Sequence, residues 1–528
     1  MLGLGVVTIL GSFSLWGSSS SGWEVFLNFW GYGWKEGTEV LVLDEVSLIC
    51  LFMLLCCGSI ALPFCCHYFT GLVEESVRLF SLMIWFLMVM GVLVLSGSLV
   101  LSLVMWEYLG LVSFLLILFY SNMDSARAAL VTLFASRFGD VSLFMLIFWC
   151  GVWLSDLGGF FFFFFLLVIL TKSAGYPFIS WLLEAMRAPT PVSSLVHSST
   201  LVAAGVWFVV RYQEFLVPVV QSFLFLFCIL TVVVSGTCAS FFSDLKKVVA
   251  LSTCNNISWC WIFFVCGDLG LCLLLSLTHG VCKCYLFVSV GDLMSHSGGS
   301  QSSVAVYSPR YVGSFGVVLH SVLIFSLSGL PFMGVFFSKH GLFSSVSYCY
   351  GIGFLCAFWV AFFLTYVYSV RLSLLLLKSS SGLVSGYSSN FLLIGGLCLL
   401  GTFLNWLGLV LFDESFELNG WWSGVMLLVQ FLGCLGGWFL WSGAVSFSGD
   451  VLVVWSSLLW GSNCLVDAVY SFFLRLSEVS VLSFYRWELY GLSLVRSGWG
   501  VSGGAFVSLN FLVLSSIFVI LSVSLVFS

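Results

Sequence analysis

The chain has 528 residues, 61% of them hydrophobic and 8% charged, with 17 Lys+Arg against 23 Asp+Glu and a net charge of -6. An ordinary soluble domain carries about 25% charged residues, so a water-soluble fold is excluded. No basic run exists, which excludes nucleic acid and a polybasic lipid-binding segment as partners.

Charge clusters such as Glu74, Glu75, Arg78 and Asp413, Glu414, Glu417 stand between long apolar runs and read as loops between membrane helices. At about 20 apolar residues per crossing, the sequence predicts an all-α polytopic membrane protein of about 14–16 transmembrane helices. Met1 to Trp16 reads as a first span; it lacks the basic start of a secretory signal and the Arg-rich character of a transit peptide. That fits bacterial synthesis or synthesis inside an organelle. The enriched residues share codons rich in U and G, which points the same way.

Gly17 to Gly37 is too polar to cross and is expected at the interface. Spans follow at about 44–66, 77–97, 99–120, 126–152, 158–176, 192–211, 217–241, 247–266, 269–291, 312–337, 350–376, 390–412, 421–445 and 505–527. The Phe160 to Phe165 run reads as lipid-facing filler. Between 450 and 500, Asp467, Arg475, Glu478, Arg486, Glu488 and Arg496 recur among apolar residues, the pattern of a long amphipathic helix along a membrane or partner surface. Asn256-Ile257-Ser258 matches a glycosylation sequon but lies inside a span and is discarded. The 19 cysteines form no CxxC pair and read as small apolar packing residues.

An ionisable group at bilayer depth costs at least a few kcal/mol, so each one needs a partner, water or a function. Glu107, Lys172, His279, Lys283 and Lys339 all stand in apolar runs, with His279 and Lys283 four apart and so on one helix face. A structural ion pair or a snorkelling side chain would explain any one of them. Together, lysines with a carboxylate and histidines are what a proton path needs, because burial and a neighbouring carboxylate push a lysine's proton affinity in opposite directions. Pro177 follows Lys172 and Pro331 precedes Lys339, each breaking an apolar helix, as the ion paths of inverted-repeat transporters do. Between them, Ala188-Pro189-Thr190-Pro191-Val192-Ser193 leads to His197-Ser198-Ser199-Thr200, a turn feeding a hydroxyl-rich helix. Capping by Thr190 and Ser193 with a satisfied core histidine is the bland reading; a relay role for His197 is the functional one.

At this stretch the sequence resembles the antiporter-like membrane subunits of respiratory complex I. Thr171-Lys172-Ser173-Ala174, Pro177-Phe178, Trp181-Leu182, Ala188 to Ser193 and His197 to Thr200 carry the resemblance. It is supported by Trp106-Glu107, Ser136-Arg137-Phe138-Gly139-Asp140, Asp244-Leu245-Lys246-Lys247, Leu277-Thr278-His279, Leu330-Pro331-Phe332 and Ser338-Lys339. It implies two inverted five-helix repeats, each with a broken helix, then a lateral helix and an anchoring span: 1–97 N-terminal spans, 98–241 and 242–376 the repeats, 377–449 additional spans, 450–500 the lateral helix and 501–528 the anchor. It also implies proton translocation along Glu107, Lys172, His197, His279, Lys283 and Lys339, with Arg137, Asp140, Lys246, Lys247 and His340 in secondary roles and helix breaks at Pro177, Pro189, Pro191 and Pro331. The driving reaction, NADH oxidation and ubiquinone reduction, would run in other subunits.

Two departures stand out: Leu275 where the family commonly has a second histidine, and His340 where it often has an acid. No GxGxxG after a strand, Walker loop or HExxH occurs, so the chain is expected to hold no cofactor or metal, with NADH, FMN, iron–sulfur clusters and ubiquinone in partner subunits. Neighbouring membrane-arm subunits, supernumerary subunits and lipids are the expected partners, and the mitochondrial inner membrane (or a bacterial plasma membrane) the location. A subunit of a cation/proton antiporter and a structural scaffold are the competing readings. The former would continue into further spans where 450–500 is polar, and the latter would tolerate loss of the buried lysines.

Overall fold

The computed structural model describes residues 23–27, 39–69, 73–152, 159–267, 269–296, 299, 301–303, 308–309, 313–331, 335–336, 338–339, 352–377, 381–382, 420–442 and 451–498. The expected spans at Met1–Trp16, 390–412 and 505–527 lie outside the described residues, as does His340.

A helix starts where a polar side chain can take the orphan N–H groups of its first turn. Asp44 does this for α1 (Glu45–Tyr68), in a reciprocal box with Ser47. Helix α2 (Val73–Leu95) returns, and Ser98 caps α3 (Leu99–Ile117). Then come α4 (Met123–Val152), α5 (Gly159–Lys172), the short α6 (Ser180–Ala185) and α7 (Thr190–Arg211). Pro218 opens α8 (Pro218–Phe241), followed by α9 (Leu245–Val265), α10 (Leu269–His296), α11 (Gly313–Ser328), α12 (Ile352–Leu377), α13 (Gly420–Ser442), α14 (Val451–Ser457) and α15 (Ser462–Gly498). Among the described residues ten helices are long and apolar enough to cross a membrane, so the chain is a multi-pass membrane protein.

Burial sorts these helices. The most apolar window of α7 is 100% buried, that of α9 89% and of α10 83%, against 39% in α2, 33% in α4 and 22% in α13. Helices apolar all round are buried; here α7, α9 and α10 form the interior and the others its wall. Between α5 and α11 the chain crosses four times, an even number (α7 to α10), so these two interrupted helices run in opposite directions, as an inverted repeat requires.

Successive crossings put the Asp44 end of α1 at one face and the His67 end at the other. Arg78, Arg127, Arg187, Lys246, Lys247 and Arg371 lie toward the His67 face and Arg211 toward the Asp44 face. By the positive-inside rule the His67 face is the inner one, cytoplasmic or matrix.

The segment 17–37 contributes a strand, β1 (Trp23–Leu27), paired antiparallel with β2 (Glu39–Leu43); the apolar, partly β-branched run Val40-Leu41-Val42-Leu43 suits a half-buried strand. Three expectations need correction. Phe161 and Phe165 do not face lipid: both are fully buried, against Phe215 and Phe208, while Phe163 is exposed, because a helix turns a uniform run to all sides. The long polar helix begins at Ser462 rather than 450. Leu459, Trp460 and Gly461 take left-handed backbone (φ 50°, 51° and 91°), which ends α14, and α14 packs on α8, with Cys238 donating to the Ser456 carbonyl. Finally, neither Thr190 nor Ser193 caps α7. Ser193, Ser194 and Ser199 turn their hydroxyls back onto carbonyls of their own helix, and Thr200 reaches the Leu195 carbonyl five residues back. Ser193–Thr200 is accordingly a π-helical turn, a feature frequent at functional sites.

The chain divides into Met1–Ser462 and a second unit from Asn463. Helix α15 has 37 residues, about 55 Å at 1.5 Å per residue. Arg475, Glu478, Arg486 and Glu488 are exposed along it, as are Phe472, Phe484 and Trp487.

Candidate functional site

Lys172 ends α5, where Ser173 to Ile179 interrupt the helix before α6. Ala174 takes φ 53° there, Trp181 donates Nε1–H to the Thr171 carbonyl at 2.9 Å, and Gly205 of α7 lies so close that a Cβ would overlap Ser173 Oγ. The Lys172 ammonium is buried, donates to the Trp106 carbonyl at 3.2 Å and lies 5.2 Å from the Trp106 ring centroid.

The second interruption repeats this chemistry. Helix α11 stops at Ser328, Gly329 takes φ 81°, and Lys339 follows the break. Its ammonium donates to the Ser328 carbonyl at 2.7 Å and lies 5.3, 5.7 and 5.9 Å from the ring centroids of Trp259, Phe362 and Tyr366. Tyr366 holds the break by donating to the Gly329 carbonyl at 2.7 Å. A carbonyl and an aromatic face give a buried cation partial compensation without a fixed counter-ion, which leaves it free to gain and lose a proton.

Two carboxylates stand near Lys172 and differ in burial. Glu107 is half-buried and forms no ion pair with Lys172 among the described residues. Asp140 is buried and is the carboxylate acting most strongly on Lys172, ahead of Glu107. One Asp140 oxygen accepts from Arg137 at 3.2 Å and the other has no partner. The Arg137–Asp140 spacing is legible in the sequence; that the pair points its acid at Lys172 is not.

Between the lysines, His197 lies on the π turn and His279 and Lys283 on one face of α10, all buried. Lys283 hydrogen-bonds Ser252 of α9, and the His279 ring lies at the Ser198 backbone. Neither ring nitrogen of His197 or of His279 has a partner of good hydrogen-bond geometry, so the satisfied-histidine reading fails. Trp106 Nε1, Ser173 Oγ and Trp259 Nε1 are likewise buried and unpaired. Each such orphan costs about 1–3 kcal/mol in a dry core; those beside the lysines and histidines are places for water.

Two small cavities join the groups. One, about 10 Å³ in water-accessible volume, touches Lys172 and His197 and is lined by the hydroxyls of Ser113, Thr132 and Ser136. The other, also about 10 Å³, touches Lys283, Ser252 and Asn256 and reaches Ser328, which accepts from Lys339. Each is about the size one water needs. The line runs from Lys172 through a cavity to His197, along α7 to His279, four residues on to Lys283, and through the second cavity to Lys339.

The remaining residues make the following contacts. Lys246 donates to the Ala188 carbonyl at 3.4 Å, fixing the chain before Pro189 and Pro191, and Lys247 pairs with Asp244 at 3.1 Å. Leu275 is packed in the apolar core. Pro177 follows a cis peptide within the first interruption and Pro331 lies in the second.

Comparison with known proteins decides the family. Residues 96–365 match the model described as NADH:quinone oxidoreductase/Mrp antiporter membrane region. NADH-ubiquinone oxidoreductase chain 5 of Mytilus edulis is 33% identical over 493 residues, covering 86% of this chain and 83% of the relative. The chain belongs to the NADH-ubiquinone oxidoreductase chain 5 family. The same-named protein of Locusta migratoria is 32% identical over 406 residues, covering 69% of this chain and 68% of its own length. A solved structure of the Mrp complex from Dietzia sp. shares the fold, with a TM-score of 0.62 at 22% identity over 99% of this chain. This chain spans 60% of the length of that Mrp subunit.

Proposed function

We propose that this chain is a proton-translocating membrane subunit of respiratory complex I, moving protons along Glu107, Asp140, Lys172, His197, His279, Lys283 and Lys339. The energy comes from NADH oxidation and ubiquinone reduction in partner subunits that hold FMN and the iron–sulfur clusters. This chain supplies no redox centre. The observation that carries the proposal is the continuity of the line: two buried lysines at opposed helix interruptions, joined through unpaired histidines and two water-sized cavities.

Each group has a role. Lys172 is loaded or emptied as the Arg137–Asp140 pair and Glu107 change their field on it. His197, whose nitrogens have no protein partner, and His279, whose ring lies at the Ser198 backbone, pass the proton through water. Lys283 receives it, and Lys339, with the neighbouring His340, releases it. The π turn puts His197 and Ser198 at the faces this requires. The location is the inner mitochondrial membrane, and the partners are the adjacent membrane-arm subunits, supernumerary subunits and structural lipids, with α15 as the lateral brace.

Substituting Lys172→Ala or Lys339→Ala in the assembled complex tests this. The proposal expects fewer protons moved per electron, whereas an unchanged ratio and rate would leave the subunit a scaffold. The antiporter-subunit reading is disfavoured by the polar α15, which replaces further spans.

A further inference from the structure

Three titratable residues outside this line lie on helix ends toward the inner face. His67 Nε2, near the end of α1, lies 3.1 Å from Asp292 Oδ1 near the end of α10. Helix α11, whose second turn carries His320, packs against α10, which brings His320 within electrostatic range of Asp292. None of the three belongs to the stretches that carry the family resemblance, and α1, which carries His67, is far in sequence from α10 and α11.

Their burial is graded. The His67 side chain is 34% exposed and that of Asp292 11%, while His320 is buried. Along α11, His320 shares a face with Ile324 and Leu327, four and seven residues on. Those two residues, with Ser328, line the cavity at Lys283. Ile324 is about 6 Å along the helix axis from His320, a distance that a short water chain can span. Of the other cations at this face, Lys246 on α9 and Arg371 on α12 are engaged on the carbonyls of Ala188 and Ala239, and Lys247 pairs with Asp244.

We propose that His67, Asp292 and His320 form a proton-uptake branch from the inner aqueous face to the Lys283 cavity. A proton taken from water by a His67 ring nitrogen passes to the Asp292 carboxylate, then to a His320 ring nitrogen, and through water to the Lys283 amine. His67 is reloaded from the inner aqueous phase, so each group ends as it began and one proton is delivered. This inference rests on the proton-translocation reading. It adds where the middle of the path is filled, so that Lys283 draws protons directly from the inner face as well as from Lys172.

The test uses the assembled complex in vesicles, measuring protons taken up per electron delivered to quinone. Asp292→Asn and His320→Gln are expected to lower that ratio, though less than Lys283→Ala, which also cuts the supply from Lys172, and Asp292→Glu, which keeps a titratable carboxyl, to restore most of it. A purely structural clamp would instead change assembly and leave the ratio of the assembled fraction alone. A lowered ratio in Lys283→Ala with normal ratios in Asp292→Asn and His320→Gln would overturn the branch and leave the translocation reading standing. Normal ratios in all three would overturn both. Should Asp292→Asn fail to assemble, His320→Gln against Asp292→Glu decides by the same ratio.

Discussion

Gly205 is where α7 comes closest to the first helix interruption, and its substitution by alanine gives a quantitative test of that packing. A Cβ at Gly205 would overlap Ser173 Oγ and would lie 3.2 Å from Ser173 Cβ and 3.3 Å from the Ile169 carbonyl oxygen. Rotating the serine hydroxyl removes the first conflict but not the other two, which are tied to the backbone of the interruption. The helices must therefore part by a few tenths of an ångström. Overpacking of this kind costs about 1–3 kcal/mol, and here the strain falls next to Lys172, whose ammonium depends on a 3.2 Å bond to the Trp106 carbonyl. Gly205→Ala should lower the melting temperature of the purified complex and the protons moved per electron together. Ser173→Ala removes the overlapping oxygen, so the double variant should recover part of both, with a coupling energy of about 0.5–3 kcal/mol. A silent Gly205→Ala, or a double variant no better than Gly205→Ala alone, would refute the packing argument.

Three further outcomes follow from contacts described above. Phe161→Ala should cost about 3–5 kcal/mol as a buried aromatic deletion, whereas exposed Phe163→Ala should cost far less; thermal melts of the two variants compare them. Asp44→Ala removes both the cap of α1, about 1 kcal/mol, and the carboxylate that engages Arg211, about 1.5–3 kcal/mol, so it should destabilise more than Asp44→Asn, which keeps the cap. Deleting 462–498 should block assembly of the membrane arm, seen as smaller complexes on native gels; full assembly with normal activity would remove α15 from its bracing role.

Much of this arrangement is legible in the residues. Lys172, Lys283 and Lys339 declare themselves because a cation in an apolar run has no inexpensive explanation, and Pro177 and Pro331 mark the interruptions beside two of them. The weak likeness of those segments, a lysine and a Pro-Phe pair, becomes the same lysine, carbonyl and tryptophan arrangement in three dimensions. What stayed hidden depends on direction. Asp140 and Glu107 are both acids in membrane helices, and only the helix rotation tells which is turned inward. His67, Asp292 and His320 lie near helix ends, where a polar residue is ordinarily solvated, and nothing local says that three ends converge. The π turn at Ser193–Thr200 is likewise a competition between hydroxyl and amide for the same carbonyls, which spacing alone does not resolve.

The central claim is that water completes the line from Lys172 to Lys339. An experimental map of the assembled complex, fine enough to place ordered water, measures this directly. The account predicts water in the cavity between Lys172 and His197, water on the free nitrogens of His197 and His279, and water between Lys283 and Ser328. Dry cavities, or side chains closing the space at both, would contradict it.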